Sequence, residues 1–167
     1  MMLSRAWVFD LPWDVITDVA SRENVPVNLL AAIVFVESGG NKHAARFEKD
    51  YKYVFQTKKF ALEANTTETT EMMLQMTSWG LCQIMGAVAR ENGISGPMMK
   101  IIDPEVNLTI ACRLIKKLAS KHSQRDDIIA SYNSGSPIKT IDGKYRNQAY
   151  VDKVNAAISI IQSMQKV

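Results

Sequence analysis

Cysteine and histidine are scarce in this chain of 167 residues, with two of each. Cys82 and Cys112 fall in separate predicted elements, with no CxxC and no Cys/His spacing around them, so no zinc-type cluster and no disulfide framework is expected. Two free, buried thiols are the expectation. His43 and His122 have no ligand-like neighbours either, and both are read as surface residues; no metal and no cofactor is expected. Long apolar runs are also missing. No window approaches the roughly 18 residues that span a bilayer, so stable membrane insertion is excluded. The first residues, Met1 to Val8, have no apolar segment of signal-peptide length before Asp10 interrupts them. Synthesis in the cytoplasm without a signal peptide is the resulting expectation. Charge of one sign is scarce too. A net charge of +3 is too small and too dispersed to argue for nucleic acid, although it favours approach to an anionic polymer. Repeats, linkers and low-complexity tracts do not occur.

What the chain does contain is apolar periodicity. Nearly half of it is apolar, which fits one globular domain over 1–167 able to hold a cleft, with a monomer expected. A first helix is predicted from Asp10-Leu11-Pro12, with Asp10 as N-cap and an apolar stripe at Val15, Ile16, Val19 and Ala20. Pro26 opens a second, in which Leu29, Leu30, Ile33, Val34 and Glu37 share a face, and Gly39-Gly40 stop it. Asp103-Pro104 starts another, with Val106, Ile110, Leu114 and Leu118 as one stripe. Lys116, Lys117 and Lys121 stand near its C-terminal end, where they complement the helix dipole. Ser123-Gln124-Arg125-Asp126 resembles a capping box for a helix ending near Tyr132. A last helix is predicted over 148–164. Between 47 and 77 the pattern is irregular; Glu71 to Met76 suits a short helix, and the 47–60 stretch leaves room for a short β-hairpin. The prediction is a mainly α domain with irregular loops around a groove.

Glu37 ends the apolar run Leu29 to Val36 and is followed by Ser38-Gly39-Gly40-Asn41. The segment alone leaves two readings open. One is a helix-end carboxylate meeting solvent; the other is a desolvated carboxyl that keeps its proton near neutral pH and serves as a general acid.

Three segments in order, Glu37-Ser38, Gly80-Leu81-Cys82-Gln83-Ile84 and Ala130-Ser131-Tyr132-Asn133-Ser134-Gly135, resemble the signature of the lytic transglycosylases. That family shares a lysozyme-like fold with goose-type lysozymes, and the resemblance covers about 26–155. It implies a substrate groove in a lysozyme-like domain, with peptidoglycan glycan strands as the partner. Glu37 is then the catalytic acid. Ser38, Glu48, Gly80 and Gln83 are implied as substrate-binding residues, together with Met85, Tyr132 and Asn133. Gly80 would let a substrate approach the backbone, Gln83 would offer its amide to an acetamido group, and Tyr132 would present its ring to a sugar or its hydroxyl to Glu37 or the substrate. Structural roles stay open for Ser38 as a backbone tie, Gln83 as a cap and Tyr132 as core.

The chain departs from the common pattern in three ways. An insertion at about 47–77 separates the first two motifs and carries Arg46-Phe47-Glu48 at its start, as in phage and prophage lytic enzymes. Arg46 stands where many members have serine. Arg146 stands before Tyr150-Val151, where a glutamate is usual. The resemblance implies that no second carboxylate is needed, because the sugar's own 6-hydroxyl attacks and leaves a 1,6-anhydro-muramyl end. A goose-lysozyme-like hydrolase is the alternative, with Glu48, Asp50 or Glu71 positioning water; Glu48 and Glu71 could instead form salt bridges with Arg46. A non-catalytic wall-binding or virion module is a third reading. Two settings suit an enzyme without an export signal: a phage endolysin released through a holin pore, or an enzyme attached to the virion.

Overall fold

A computed structural model describes residues 6–164; residues 1–5, part of the stretch on which the signal-peptide expectation rests, lie outside them. The order is a 3-10 turn Ala6–Asp10, α1 (Trp13–Glu23), α2 (Val27–Ser38), β1 (Ala45–Phe47), α3 (Thr57–Glu63), α4 (Glu68–Gln75), β2 (Thr77–Trp79), β3 (Ile84–Met85) and α5 (Gly86–Glu91). A second 3-10 turn, Met98–Ile102, leads into α6 (Pro104–Ala119), α7 (Arg125–Ser134) and α8 (Gln148–Met164). The fold is mainly helical, with one small antiparallel sheet in the order β1-β2-β3. No helix among the described residues is long and apolar enough to cross a membrane.

Helix α2 lies at the centre. Leu29 to Val34 are all buried, because α1, α6 and α8 pack around them; a helix apolar on every side has no solvent face to offer. Gly39 ends it at φ 61°, and its N–H donates to the Phe35 carbonyl at 2.9 Å, a left-handed stop that glycine adopts without steric cost. Helix α6 begins as predicted, with Asp103 Oδ1 accepting from Val106 N–H at 3.1 Å and Pro104 in the first turn. Cys82 and Cys112 are free and buried, and α8 spans the predicted residues.

Three local expectations are corrected. Asp10 does not cap α1: it ends the preceding 3-10 turn, and α1 starts after Pro12 with no side-chain cap. That turn is held instead by the Trp13 indole, which donates to the Val8 carbonyl at 2.5 Å. No capping box opens α7, whose N-cap is Gln124. Asp126 and Asp127 are drawn away by Asn155 and by the Tyr145 hydroxyl, at 2.9 and 2.6 Å. The sheet, finally, is not a hairpin within 47–60. β1 pairs across the insertion with β2, in the register Ala45 to Trp79 and Phe47 to Thr77, and β2 pairs with β3. Residues 48–56 form no strand. Where a strand partner would satisfy Phe55, the buried Gln75 side chain does so, accepting from Phe55 N–H at 2.6 Å and donating to its carbonyl at 2.8 Å.

The insertion is thus a pair of short helices, α3 and α4, and a buried ion pair pins it. Arg90 of α5 donates from Nε and Nη2 to the two oxygens of Glu71 of α4, at 2.8 and 2.7 Å. Both side chains are fully buried. Every other polar group is met: Gln75 donates to Glu71, and Arg90 Nη1 donates to the Ile94 and Gly96 carbonyls. The guanidinium also lies 4.7 Å from the centre of the Phe60 ring of α3. Gly86 allows α5 to start against α4, since a Cβ there would come 2.2 Å from the Leu74 carbonyl oxygen.

Breaking a satisfied buried pair leaves an uncompensated charge, so Arg90→Met is expected to destabilise the protein by about 3–5 kcal/mol. Urea unfolding measures this. A loss below about 1 kcal/mol, the scale of an exposed pair, would show that the pair does not hold the insertion.

Candidate active site

Glu37 lies in the last turn of α2, where the helix leaves the core and meets a groove of about 870 Å³. Tyr150, in the first turn of α8, donates its hydroxyl to Glu37 Oε1 at 2.6 Å. Burial lifts the Glu37 carboxyl above its ordinary value of 4.5. The Tyr150 hydrogen bond and the Arg46 charge pull the other way, and Glu48 adds slightly to the rise. Burial beside this carboxyl also pushes the Tyr150 hydroxyl far up, so it keeps its proton and donates it to Glu37 in the hydrogen bond.

Two loops complete the site, and both are fixed from behind. Ser38 Oγ donates to the Leu81 carbonyl at 2.8 Å and accepts from Gly40 N–H at 3.2 Å, which ties the end of α2 to the turn after β2. The buried Asn107 of α6 holds that same turn, accepting from Cys82 N–H at 2.9 Å and donating to the Trp79 and Ile101 carbonyls. Gly80, at φ 72°, makes the contact possible, because a Cβ would lie 2.5 Å from Asn107 Nδ2. The Tyr132 hydroxyl donates to the Cys82 carbonyl at 2.9 Å.

The groove brings together most of the residues singled out in the sequence. Glu37, Glu48, Gln83, Met85, Tyr132 and Asn133 all line it. Ser38 and Gly80 do not; their side of the loop faces the protein, and the close approach at Gly80 is by Asn107. Tyr132 does not reach Glu37 through its hydroxyl, which the Cys82 carbonyl occupies. The Gln83 amide is not a helix cap. It sits at φ 47°, accepts from Ser78 Oγ at 2.9 Å and donates to the Ala44 and Gly80 carbonyls, and so joins the β2–β3 turn to the chain before β1. Asn133 Oδ1 accepts from Asn147 Nδ2 at 2.9 Å. Of the carboxylates weighed as a second acid, Glu48 is held by Arg46 Nε at 2.5 Å. Asp50 lines the groove, and Glu71 is committed to Arg90, not to Arg46.

A family model described as the transglycosylase SLT domain matches residues 14–155. The chain belongs to this family. It is therefore a peptidoglycan lytic transglycosylase. Neither the curated proteins nor the solved structures hold a significant match to the chain.

Two residues of this candidate site escaped the sequence reading. Tyr150 had a signal: it lies one helical turn before the buried Val154 of α8, which puts a phenol on the inward face. Asn107 had a weaker one, an amide beside Leu108, Ile110 and Ala111 on the buried side of α6.

Tyr150 gives a pH test with a definite sign. Its hydrogen bond favours ionised Glu37, so Tyr150→Phe should raise the carboxyl pKa further. A general acid works while protonated, and the rate falls as pH rises through its pKa. The descending limb of kcat/KM on solubilised glycan strands should then move to higher pH in the variant. A shift to lower pH would contradict the assignment of the bond.

Proposed function

We propose that Glu37 alone serves as acid and then base in a non-hydrolytic cleavage of the β-1,4 bond between N-acetylmuramic acid and N-acetylglucosamine. Glu37 donates its proton to the glycosidic oxygen as the bond from that oxygen to muramyl C1 breaks. The muramyl acetamido group shares the positive charge at C1. Glu37, now ionised and steadied by the Tyr150 hydroxyl, takes the proton of the muramyl 6-hydroxyl as its oxygen bonds to C1. The acid is restored, no water is consumed, and the product is a 1,6-anhydro-muramyl end. The attacking hydroxyl is already tethered to the reacting centre, which gives it a large effective concentration.

The observation that carries this reading is a desolvated carboxyl at the groove with a phenol donor at 2.6 Å. Glu48, the carboxylate whose field reaches it, is engaged by Arg46. Two-carboxylate glycosidases use a second carboxylate as base or nucleophile. Gln83, Met85, Tyr132, Asn133 and Glu48 are assigned to the substrate as groove-lining residues. Ser38 and Gly80 position the loops around it. The insertion and its Arg46-Phe47-Glu48 string support a phage or prophage setting, in which the enzyme serves host lysis or wall penetration.

Mass spectrometry of digested peptidoglycan tests the mechanism. Anhydro ends are expected; reducing ends carrying the mass of added water would establish the hydrolase, with Asp50 as the groove carboxylate to replace next. Release of no fragments would favour the wall-binding module. Glu37→Gln is expected to slow the clearing of cell-wall suspensions by at least about 10²–10⁴-fold, the scale of general acid catalysis, while still binding the wall. A variant that clears the suspension at the wild-type rate would remove Glu37 from the mechanism.

A further inference from the structure

One stretch of the groove lining sets two cations among two leucines. Leu114, Lys117, Leu118 and Lys121 form it, at a spacing that puts all four on one face of the end of α6 and the turn that follows. The turn continues the helical path, with the N–H groups of Lys121 and His122 both donating to the Leu118 carbonyl at 3.0 Å. The neighbouring Lys116 points away and is committed to Glu23 at 2.7 Å. Lys117 and Lys121 form no ion pair among the described residues. Elsewhere on the lining, Arg46 is paired with Glu48, and Lys49 stands beside the carboxylate-bearing Asp50 in sequence without an ion pair of its own among the described residues. Helix α7, which packs on α6, adds Ser131. This side chain is buried at the groove, and its hydroxyl finds no partner in the protein. A buried hydroxyl without a partner is costly, and a ligand group could satisfy it.

Cations left unpaired along a cleft raise the local concentration of anions. The sugar rings of a glycan strand offer only hydroxyl and acetamido groups, which are neutral. Carboxylates enter through the peptide carried on the lactyl arm of each muramic acid, an acidic chain interspersed with alanine methyl groups. Two cations set among two leucines match that alternation, the leucines receiving methyl groups and the ammonium groups receiving carboxylates.

We propose that Leu114, Lys117, Leu118 and Lys121 form a subsite for the acidic stem peptide of peptidoglycan, so that the enzyme prefers strands whose peptide carboxylates are free over strands in which they are amidated. The inference rests on the groove being the glycan site. Ser131 adds one hydrogen bond to the peptide from the same groove lining.

The test uses two sets of glycan strands, identical except that the stem-peptide carboxylates are free in one and amidated in the other. Wild-type kcat/KM should favour the free carboxylates by about 2- to 10-fold at low salt, the scale expected of two exposed ion pairs, and the preference should shrink as ionic strength rises. In Lys117→Gln/Lys121→Gln, which removes both charges but keeps polar side chains at exposed positions, the ratio should fall to about one. Equal rates on both strands by the wild type, or a preference that survives in the double variant, would overturn the subsite. Competition by inorganic phosphate at constant ionic strength without any dependence on amidation would assign the lysines to a phosphate-bearing polymer, and would overturn it too. Cleavage of neither strand by the wild type would instead remove the glycan site itself, and the subsite with it.

Discussion

Keeping one carboxyl largely out of water, while leaving it a path to substrate, is the constraint on which this structure turns. Helix α2 meets it by being apolar on every face from Leu29 to Val36, so that the core ends at Glu37. The cost is plain. A group whose pKa is raised on folding contributes stability that is present below its ordinary value of 4.5 and is lost as pH rises through its folded value. The fold tolerates this with a single directed hydrogen bond. In the proposed mechanism, Tyr150 steadies the ionised form enough for Glu37 to release its proton, and burial disfavours that form enough for Glu37 to recover it. A residue that must act as acid and as base needs both influences.

The surrounding architecture fixes that balance in space. Asn107 and Ser38 hold the Gly80–Gln83 turn from behind, with a dense set of backbone contacts that leave Gln83 and Tyr132 at the groove. Glu71 and Arg90 then anchor α4 to α5, at the base of the insertion. Strand β1 carries Arg46, and Glu48 directly after it, to the groove because it pairs with β2 across the whole insertion, not with a neighbour in sequence. The inserted segment is therefore part of the cleft wall, with its attachment buried away from the chemistry.

Much of this was legible in the sequence where periodicity and end signals agree. The α2 stop at Gly39, the α6 start at Asp103 and the span of α8 each follow from local chemistry. Caps were less legible. Asp10 and Asp126 have the right side chains, but a preceding turn claimed the first and the distant Asn155 the second. The sheet was misplaced for the same reason: three residues of β1 find their partners thirty residues on. At the site, the motifs pointed to Glu37, Gln83, Tyr132 and Asn133, all of which reach the groove. Gly80 and Ser38 carry the same motif yet face inward, because a motif records which residues recur together and not which way each side chain points. The partner of Glu37 came from the other end of the chain, and only packing reveals that.

The central claim concerns the protonation of one group, and titration of that group tests it most directly. With glutamate side chains labelled at the carboxyl carbon, NMR can follow the Glu37 resonance against pH, identified by its loss in Glu37→Gln. The account predicts a midpoint above the ordinary 4.5, reflecting burial that outweighs the Tyr150 hydrogen bond and the Arg46 charge. A midpoint at or below 4.5 would mean that Glu37 is solvated like any surface carboxylate, and the description of this site as a desolvated acid would be wrong.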